Sequence, residues 1–356
     1  MKRLVFLVLV SVLVITGAFA AGGAAPSASA PSGTSSAPAY KELTLYTPLS
    51  DTEIPTYFNA FEKETGVKIN YVRLAAGEMM ARVTAEKANP QASLMFGGSS
   101  DNYIAAQKDG LLESYQSPEL ANIPAQYKDA AGVWNPIYVG AICFACNSKW
   151  FAEKKLAYPK SWEDLTKPEF KGQVSMAHPS SSGTSYTVLA TIIQLFPDRN
   201  KAWDYLKRLN ANVRQYTRSG TAPPMEVALG EAAIAVTFSH DGLRPAKEGY
   251  PIEIVFPSEG TGFEVGAMAL IKNGFEKEQA NARRFIDWFL STRGQELYIE
   301  SKSNRLPVNT KAKPTEGLTS LDKISIVPYD AVWAGNNRRA LIAEFNEKVD
   351  NAANLK

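Results

Sequence analysis

Between residues 43 and 112 the chain alternates strand-like and helix-like runs, and that alternation restricts it to a few architectures. Leu43-Thr44-Leu45-Tyr46-Thr47 reads as a short strand. Ile54, Tyr57, Phe58 and Phe61 mark one face of a helix that Gly66 ends. Val67, Ile69 and Tyr71 alternate like a strand, and residues 79–88 have helix-forming composition. Ala92-Ser93-Leu94-Met95-Phe96 is a buried-type strand running into Gly97-Gly98-Ser99-Ser100, and residues 102–109 read as a helix with Gly110 beyond its end. Such an order implies an α/β fold with a mostly parallel sheet. Ligands of these sheets sit at the carboxyl ends of strands, which directs attention to residues 48–51 and 97–101.

A second α/β unit follows Asn147. Residues 172–177 are strand-like and lead into His178-Pro179-Ser180-Ser181-Ser182-Gly183-Thr184-Ser185 and an apolar helix to Phe196. Residues 201–209 form another helix, 213–216 a strand, and Pro223 and Pro224 suit the first turn of a helix through Leu229. An apolar strand over 232–238 delivers Ser239-His240-Asp241. Residues 266–271 are a late strand, and 275–290 and 338–349 are terminal helices. Two lobes with a cleft between them are expected.

The ends carry a different signal. Lys2 and Arg3, an apolar run over 4–15 broken only by Ser11, and Ala18-Phe19-Ala20 form a secretory leader over residues 1–20. The run is shorter than the ~20 apolar residues a spanning helix needs, and no cysteine at the cleavage point offers a lipid anchor. Residues 21–39 are mostly Ala, Ser, Pro and Gly, a composition that suits a flexible tether. Lys plus Arg number 38 against 36 Asp plus Glu, and the leader holds two of the basic residues, which leaves 36 against 36. A neutral chain without a basic run argues against nucleic acid as a partner. Cys143 and Cys146 lie in an apolar strand-like stretch. Three positions along a strand separate α-carbons by ~10 Å, beyond the ~7 Å limit of a disulfide. Buried free thiols are expected.

Three groups of residues carry candidate chemistry. Ser182, Gly183 and Thr184 precede an apolar helix, whose first N–H groups lack intrahelical partners and carry partial positive charge. Small residues there let an anion approach closely. His240 and Asp241 follow an apolar strand and can meet sugar-type hydroxyls; Glu264 can do likewise, and the glycines before it read as a hinge turn. A hydrolase triad is disfavoured: no Gly-x-Ser-x-Gly elbow occurs, and adjacent His and Asp on an extended strand point apart.

Several segments resemble the periplasmic ferric-binding-protein family of ABC-importer receptors. They are Leu43-Thr44-Leu45-Tyr46-Thr47-Pro48-Leu49-Ser50-Asp51, Gly110-Leu111-Leu112-Glu113, Ser161-Trp162-Glu163-Asp164-Leu165, Phe170-Lys171-Gly172, Gly230-Glu231-Ala232-Ala233-Ile234-Ala235 and Glu259-Gly260-Thr261-Gly262. The resemblance implies the two-lobed type II periplasmic binding protein fold with a ligand cleft between the lobes. Iron-binding members place a histidine, a glutamate and two adjacent tyrosines where this sequence has Ser50, Gly98, and His240 with Asp241. The iron chemistry is therefore in doubt. Ser182-Gly183-Thr184 matches the family's anion cradle, and His240, Asp241 and Glu264 resemble the sugar-binding residues of its sugar-phosphate branch.

The resemblance thus implies a non-enzymatic receptor for a phosphorylated sugar, a hexose phosphate, working in the periplasm as a monomer without cofactor and docking to an inner-membrane ABC permease. Its expected ligand residues are Ser50, Gly98, Ser99, Ser182, Gly183, Thr184, His240, Asp241 and Glu264. Residues 40–139 with 266–313 form the first expected lobe, and 140–265 with 314–356 the second, hinged near 139–144 and 266–271. Ferric iron, or a phosphonate, thiamine-like or polyamine ligand, remains the alternative cargo. A periplasmic sugar-phosphate hydrolase is the alternative from another class.

Overall fold

The computed structural model describes residues 40–350. The expected leader and tether lie outside the described residues. The strands are β1 (Glu42–Thr47), β2 (Lys68–Arg73), β3 (Leu94–Ser99), β4 (Leu112–Glu113), β5 (Asn135–Asn147), β6 (Val174–Ala177), β7 (Val213–Thr217), β8 (Ile234–Phe238), β9 (Ile252–Val255), β10 (Phe263–Ile271) and β11 (Leu306–Pro307). The helices are α1 (Ile54–Thr65), α2 (Ala76–Ala85), α3 (Ser100–Lys108), α4 (Ser148–Lys154), α5 (Gly183–Leu195), α6 (Arg199–Asn212), α7 (Pro223–Ala228), α8 (Ser239–Lys247), α9 (Gln279–Leu290), α10 (Thr292–Glu300) and α11 (Ala331–Lys348).

Local chemistry explains the boundaries. Helix α1 has Pro55 in its first turn and ends on Gly66 at φ 71°, and it buries Ile54, Tyr57, Phe58 and Phe61, the face read from the sequence. Helix α2 starts three residues before the expected position, because Glu78 reaches back and accepts from the Ala75 N–H at 3.1 Å. Strand β3 continues through Gly97 and Gly98, both at positive φ (95° and 85°), where a side chain would be strained.

The strands pair in the order β2-β1-β3-β10-β5-β8-β6-β7. The pairs β1–β2 and β1–β3 are parallel, as are β6–β7 and β6–β8. The strand expected at 266–271 is present as β10, but the alternation over residues 43–112 did not foretell its place in the sheet. This strand comes from far along the chain and inserts antiparallel between β3 and β5. Strand β5 joins two sheets without interruption: Ala141 pairs with Phe263 of β10, and the next residue, Ile142, pairs with Phe238 of β8.

Each sheet supports its own core. The first core takes residues from 43–139 and 265–308 and is rich in edge-to-face rings, among them Tyr57, Phe96, Phe285 and Phe289. The second takes residues from 142–238 and 334–349. Cys143 and Cys146 are buried free thiols in β5, as expected, and burial raises the pKa of both. Among the described residues no helix is long and apolar enough to cross a membrane. The halves also touch directly: the Gly77 N–H donates to Ser181 O at 2.8 Å, Arg73 Nη2 to the Ser219 hydroxyl at 3.3 Å, and Arg218 pairs with Glu78.

Candidate ligand-binding site

A pocket of about 440 Å³, partly open to solvent, lies between the two halves. Eight of the nine residues proposed from sequence line it: Gly98, Ser99, Ser182, Gly183, Thr184, His240, Asp241 and Glu264. The ninth, Ser50, stands beside the wall, where its hydroxyl accepts from Arg244 Nη1 at 2.9 Å. Pro48, Leu49, Ala75, Ala76, Tyr138, Ser219, Gly220, Thr221, Phe238 and Arg305 complete the lining.

Four helices begin on this pocket. Ala75, Ser99, Ser182 and Phe238 are the N-cap residues of α2, α3, α5 and α8, and all four line it. Each opening presents backbone N–H groups without intrahelical acceptors and a partial positive charge. Ser182 caps α5 by accepting from the Ser185 N–H, and the Ser99 hydroxyl donates to Asp101 at 2.6 Å. The Ser99 hydroxyl proton is thereby engaged by Asp101 and is not offered to an anion. The lining holds one arginine and no lysine, and that arginine is already paired. An anion would therefore be held by backbone dipoles and neutral hydroxyls.

The other wall is acidic. His240 and Asp241 belong to the first turn of α8, not to an extended strand as the sequence suggested. The correction matters: the helical turn brings His240 Nε2 to 3.6 Å from Asp241 Oδ2 and 3.7 Å from Glu264 Oε1, so the two residues do not point apart. Behind them lies a feature the sequence analysis missed. Arg305 is buried, donates Nε and Nη2 to Glu53 at 3.1 and 2.8 Å, and donates Nη1 to His240 Nε2 at 2.8 Å. Its guanidinium lies 4.2 Å from the centre of the Tyr138 ring. Arginine has only donors, so His240 Nε2 accepts and the neutral ring carries its proton on Nδ1. Burial, reinforced by Arg305 and Arg244, holds the His240 pKa well below the ordinary imidazole value. Burial raises Asp241 and pushes Glu264 well above the ordinary carboxylate range, against the opposing pull of Arg305. Burial would raise Glu53 too, but the Arg305 charge and hydrogen bonds outweigh it and leave its pKa lowered.

Gly140 on β5 makes room for this arrangement. A β-carbon there would stand 2.6 Å from His240 Nδ1 and 2.8 Å from its Cε1. Gly140→Ala is expected to cost about 1–3 kcal/mol by overpacking, read as a fall in the denaturant midpoint. In a His240→Ala background the same methyl has space, and the cost should vanish. An equal cost in both backgrounds would show that Gly140 does not serve the imidazole.

The profile describing bacterial extracellular solute-binding proteins matches residues 98–332. The chain belongs to that family. This solute-binding protein is a receptor component of an ABC importer and not an enzyme. An uncharacterized protein of Haemophilus influenzae is 37% identical to it over 322 residues, covering 88% of this chain and 92% of the relative. Among solved structures, the periplasmic binding protein AfuA of Actinobacillus pleuropneumoniae, with exogenous fructose 6-phosphate bound, superposes with a TM-score of 0.84 at 34% identity, covering 87% of this chain and 99% of AfuA. The periplasmic binding protein P5PA gives 0.82 at 31% identity, covering 86% and 99%. Other relatives bear names with different cargo: a putative 2-aminoethylphosphonate-binding protein of Salmonella typhi at 26% identity over 73% of this chain and 75% of the relative, and an Fe(3+)-binding protein of Serratia marcescens at 22% over 86% and 90%.

Proposed function

We propose that this receptor captures a phosphorylated sugar, a hexose phosphate, in the periplasm and hands it to an inner-membrane ABC permease. One observation carries the reading: the pocket has two chemically different ends. Converging helix openings suit a phosphate, and His240, Asp241 and Glu264 suit sugar hydroxyls. The likeness to AfuA, whose structure holds fructose 6-phosphate, supports the same assignment. Ser182, Gly183, Thr184, Gly98 and Ser99 would form the phosphate end, joined by Ala76 and Gly220.

The two cores correspond to the two lobes, and the crossover at Ala141 and Ile142 would serve as one hinge strand. Ser50 then acts in closure through Arg244 instead of touching the sugar. A ferric reading has weaker support, because Gly98 offers no side chain, Ser50 is engaged by Arg244, and no tyrosine pair stands at 240 and 241.

Calorimetric titration with glucose 6-phosphate, glucose and inorganic phosphate tests the proposal. Glucose 6-phosphate should bind far more tightly than either part. Asp241→Ala should weaken glucose 6-phosphate roughly ten- to a hundredfold, the loss of one charge-assisted hydrogen bond, and change inorganic phosphate much less. Equal losses for both would place Asp241 away from the sugar, and tight ferric binding with no response to sugar phosphates would sink the proposal.

A further inference from the structure

With all its carboxyl groups ionised, the acidic wall would carry more negative charge than its surroundings balance, and burial accordingly raises Asp241 and Glu264. Around His240 stand three carboxyl groups, Glu53, Asp241 and Glu264, with 0%, 6% and 4% of their surface exposed. Two guanidinium groups face them directly, and a third, Arg73, acts on Asp241 from further away while pairing with Asp51. Arg305 is committed to Glu53 through two nitrogens and to His240 through the third. Arg244 gives Nη1 to the hydroxyls of Ser50 and Thr52, and its Nη2 stays 3.9 Å from Asp241 Oδ1, beyond hydrogen-bond reach. The imidazole cannot make up the difference, because Nε2 accepts from Arg305. Asp241 Oδ1 is buried without a hydrogen-bond partner on the pocket wall. Glu264 has no arginine within ion-pair distance among the described residues.

We propose that the ligand itself supplies the missing positive charge: the preferred cargo is a phosphorylated amino sugar, its phosphate at the helix openings and its ammonium between Asp241 and Glu264. This deepens the sugar-phosphate reading and rests on it. A neutral hydroxyl would leave the deficit to be filled by a proton on a buried carboxyl, whereas an ammonium lets Asp241 and Glu264 ionise without leaving a buried charge uncompensated. An ammonium group has three donors and no acceptor, which matches a wall of acceptors, and its hydrogen bonds to carboxylates are roughly twice as strong as neutral ones. The pocket is then a dipole, positive at its helix openings and negative at its acidic wall, and a zwitterionic phosphate ester is the complementary dipole.

The test is a calorimetric comparison of glucosamine 6-phosphate with glucose 6-phosphate at about pH 6.5, below the ~8 at which an ordinary α-amino group loses its proton. Glucosamine 6-phosphate should bind at least about tenfold more tightly. In Glu264→Gln, which keeps the shape and removes the charge, the ratio of the two affinities should fall towards one, whatever happens to each absolute value. Equal or weaker binding of the amino sugar by the native protein overturns the inference while leaving the sugar-phosphate reading intact. So does an unchanged ratio in both Glu264→Gln and Asp241→Asn. If a proton on Glu264 fills the deficit instead, glucose 6-phosphate will match the amino sugar and bind better at lower pH, which also overturns it. Failure of both ligands to bind removes the sugar-phosphate reading, and this inference with it.

Discussion

Arg305→Met is expected to destabilise the protein by about 3–5 kcal/mol, the range seen when one partner of a buried ion pair is removed. Glu53 is fully buried, and without Arg305 it keeps only the Ser50 N–H at 2.9 Å and the Tyr57 hydroxyl at 3.0 Å as donors. Those two neutral bonds cannot offset an isolated carboxylate in a low-dielectric interior. The substitution also frees His240 Nε2 and strips the cation from the Tyr138 ring, so ligand affinity should fall with stability. Denaturant titration reads the first effect and calorimetry the second. The companion Glu53→Gln/Arg305→Met removes both charges and should recover a large part of the stability but little of the affinity. A loss below about 1 kcal/mol in the single variant would mean that Glu53 takes up a proton instead and that the ion pair does not hold the two halves of this cluster together.

Gly183→Val is expected to have the larger effect on binding, on the order of a thousandfold, or about 4 kcal/mol. Gly183 is the first residue of α5 and lines the pocket. A β-carbon there would already be 3.4 Å from both Ala76 Cβ and Asn102 Nδ2, and 3.6 Å from Ser99 Oγ, all on the opposite half. Valine's two further methyls would have to occupy the anion's place or wedge the halves apart. Either outcome removes hydrogen bonds from backbone N–H groups to a charged ligand, each contributing about 1.5–3 kcal/mol. Folding should survive, since the position is helical and a branched side chain in a first turn costs only tenths of a kcal/mol. Normal binding by Gly183→Val would end the helix-opening assignment. A loss of melting temperature comparable to that of Arg305→Met would show the effect to be structural.

The sequence was most legible where neighbours decide. Periodicity located α1 and its buried face, and the serine-rich run before α5 was read as a helix opening because its signals lie within a few residues. Near neighbours misled at His240 and Asp241. The apolar strand ends at Phe238 as its composition implies, but the turn into α8 at Ser239 carries Gly242 and Pro245, residues that usually argue against a helix. Arg305 was invisible for a different reason. It sits in Ser301-Lys302-Ser303-Asn304-Arg305, which has no apolar period, and its partners Glu53 and His240 are 252 and 65 residues away. A faint signal exists in hindsight: Lys302 and Asn304 take positive φ (55° and 57°), and such conformations in non-glycine residues gather at functional sites. The Ala75–Ala76 opening was missed because its cap is a side chain reaching back from Glu78, not a serine or threonine in front.

The insertion of β10 between β3 and β5 also sets the order in which the molecule can be made. Synthesis proceeds from the amino terminus, and β3 and β5 must wait with bare edges until Phe263–Ile271 has emerged. The aromatic core of the first half waits as well, since Phe285 and Phe289 on α9 close it. Pairings this distant are slow to form, and unpaired strands are adhesive while they wait. A polypeptide that appears amino terminus first, whether from a ribosome or across a membrane, cannot complete either half of its β3–β10–β5 ladder until residue 271 has emerged.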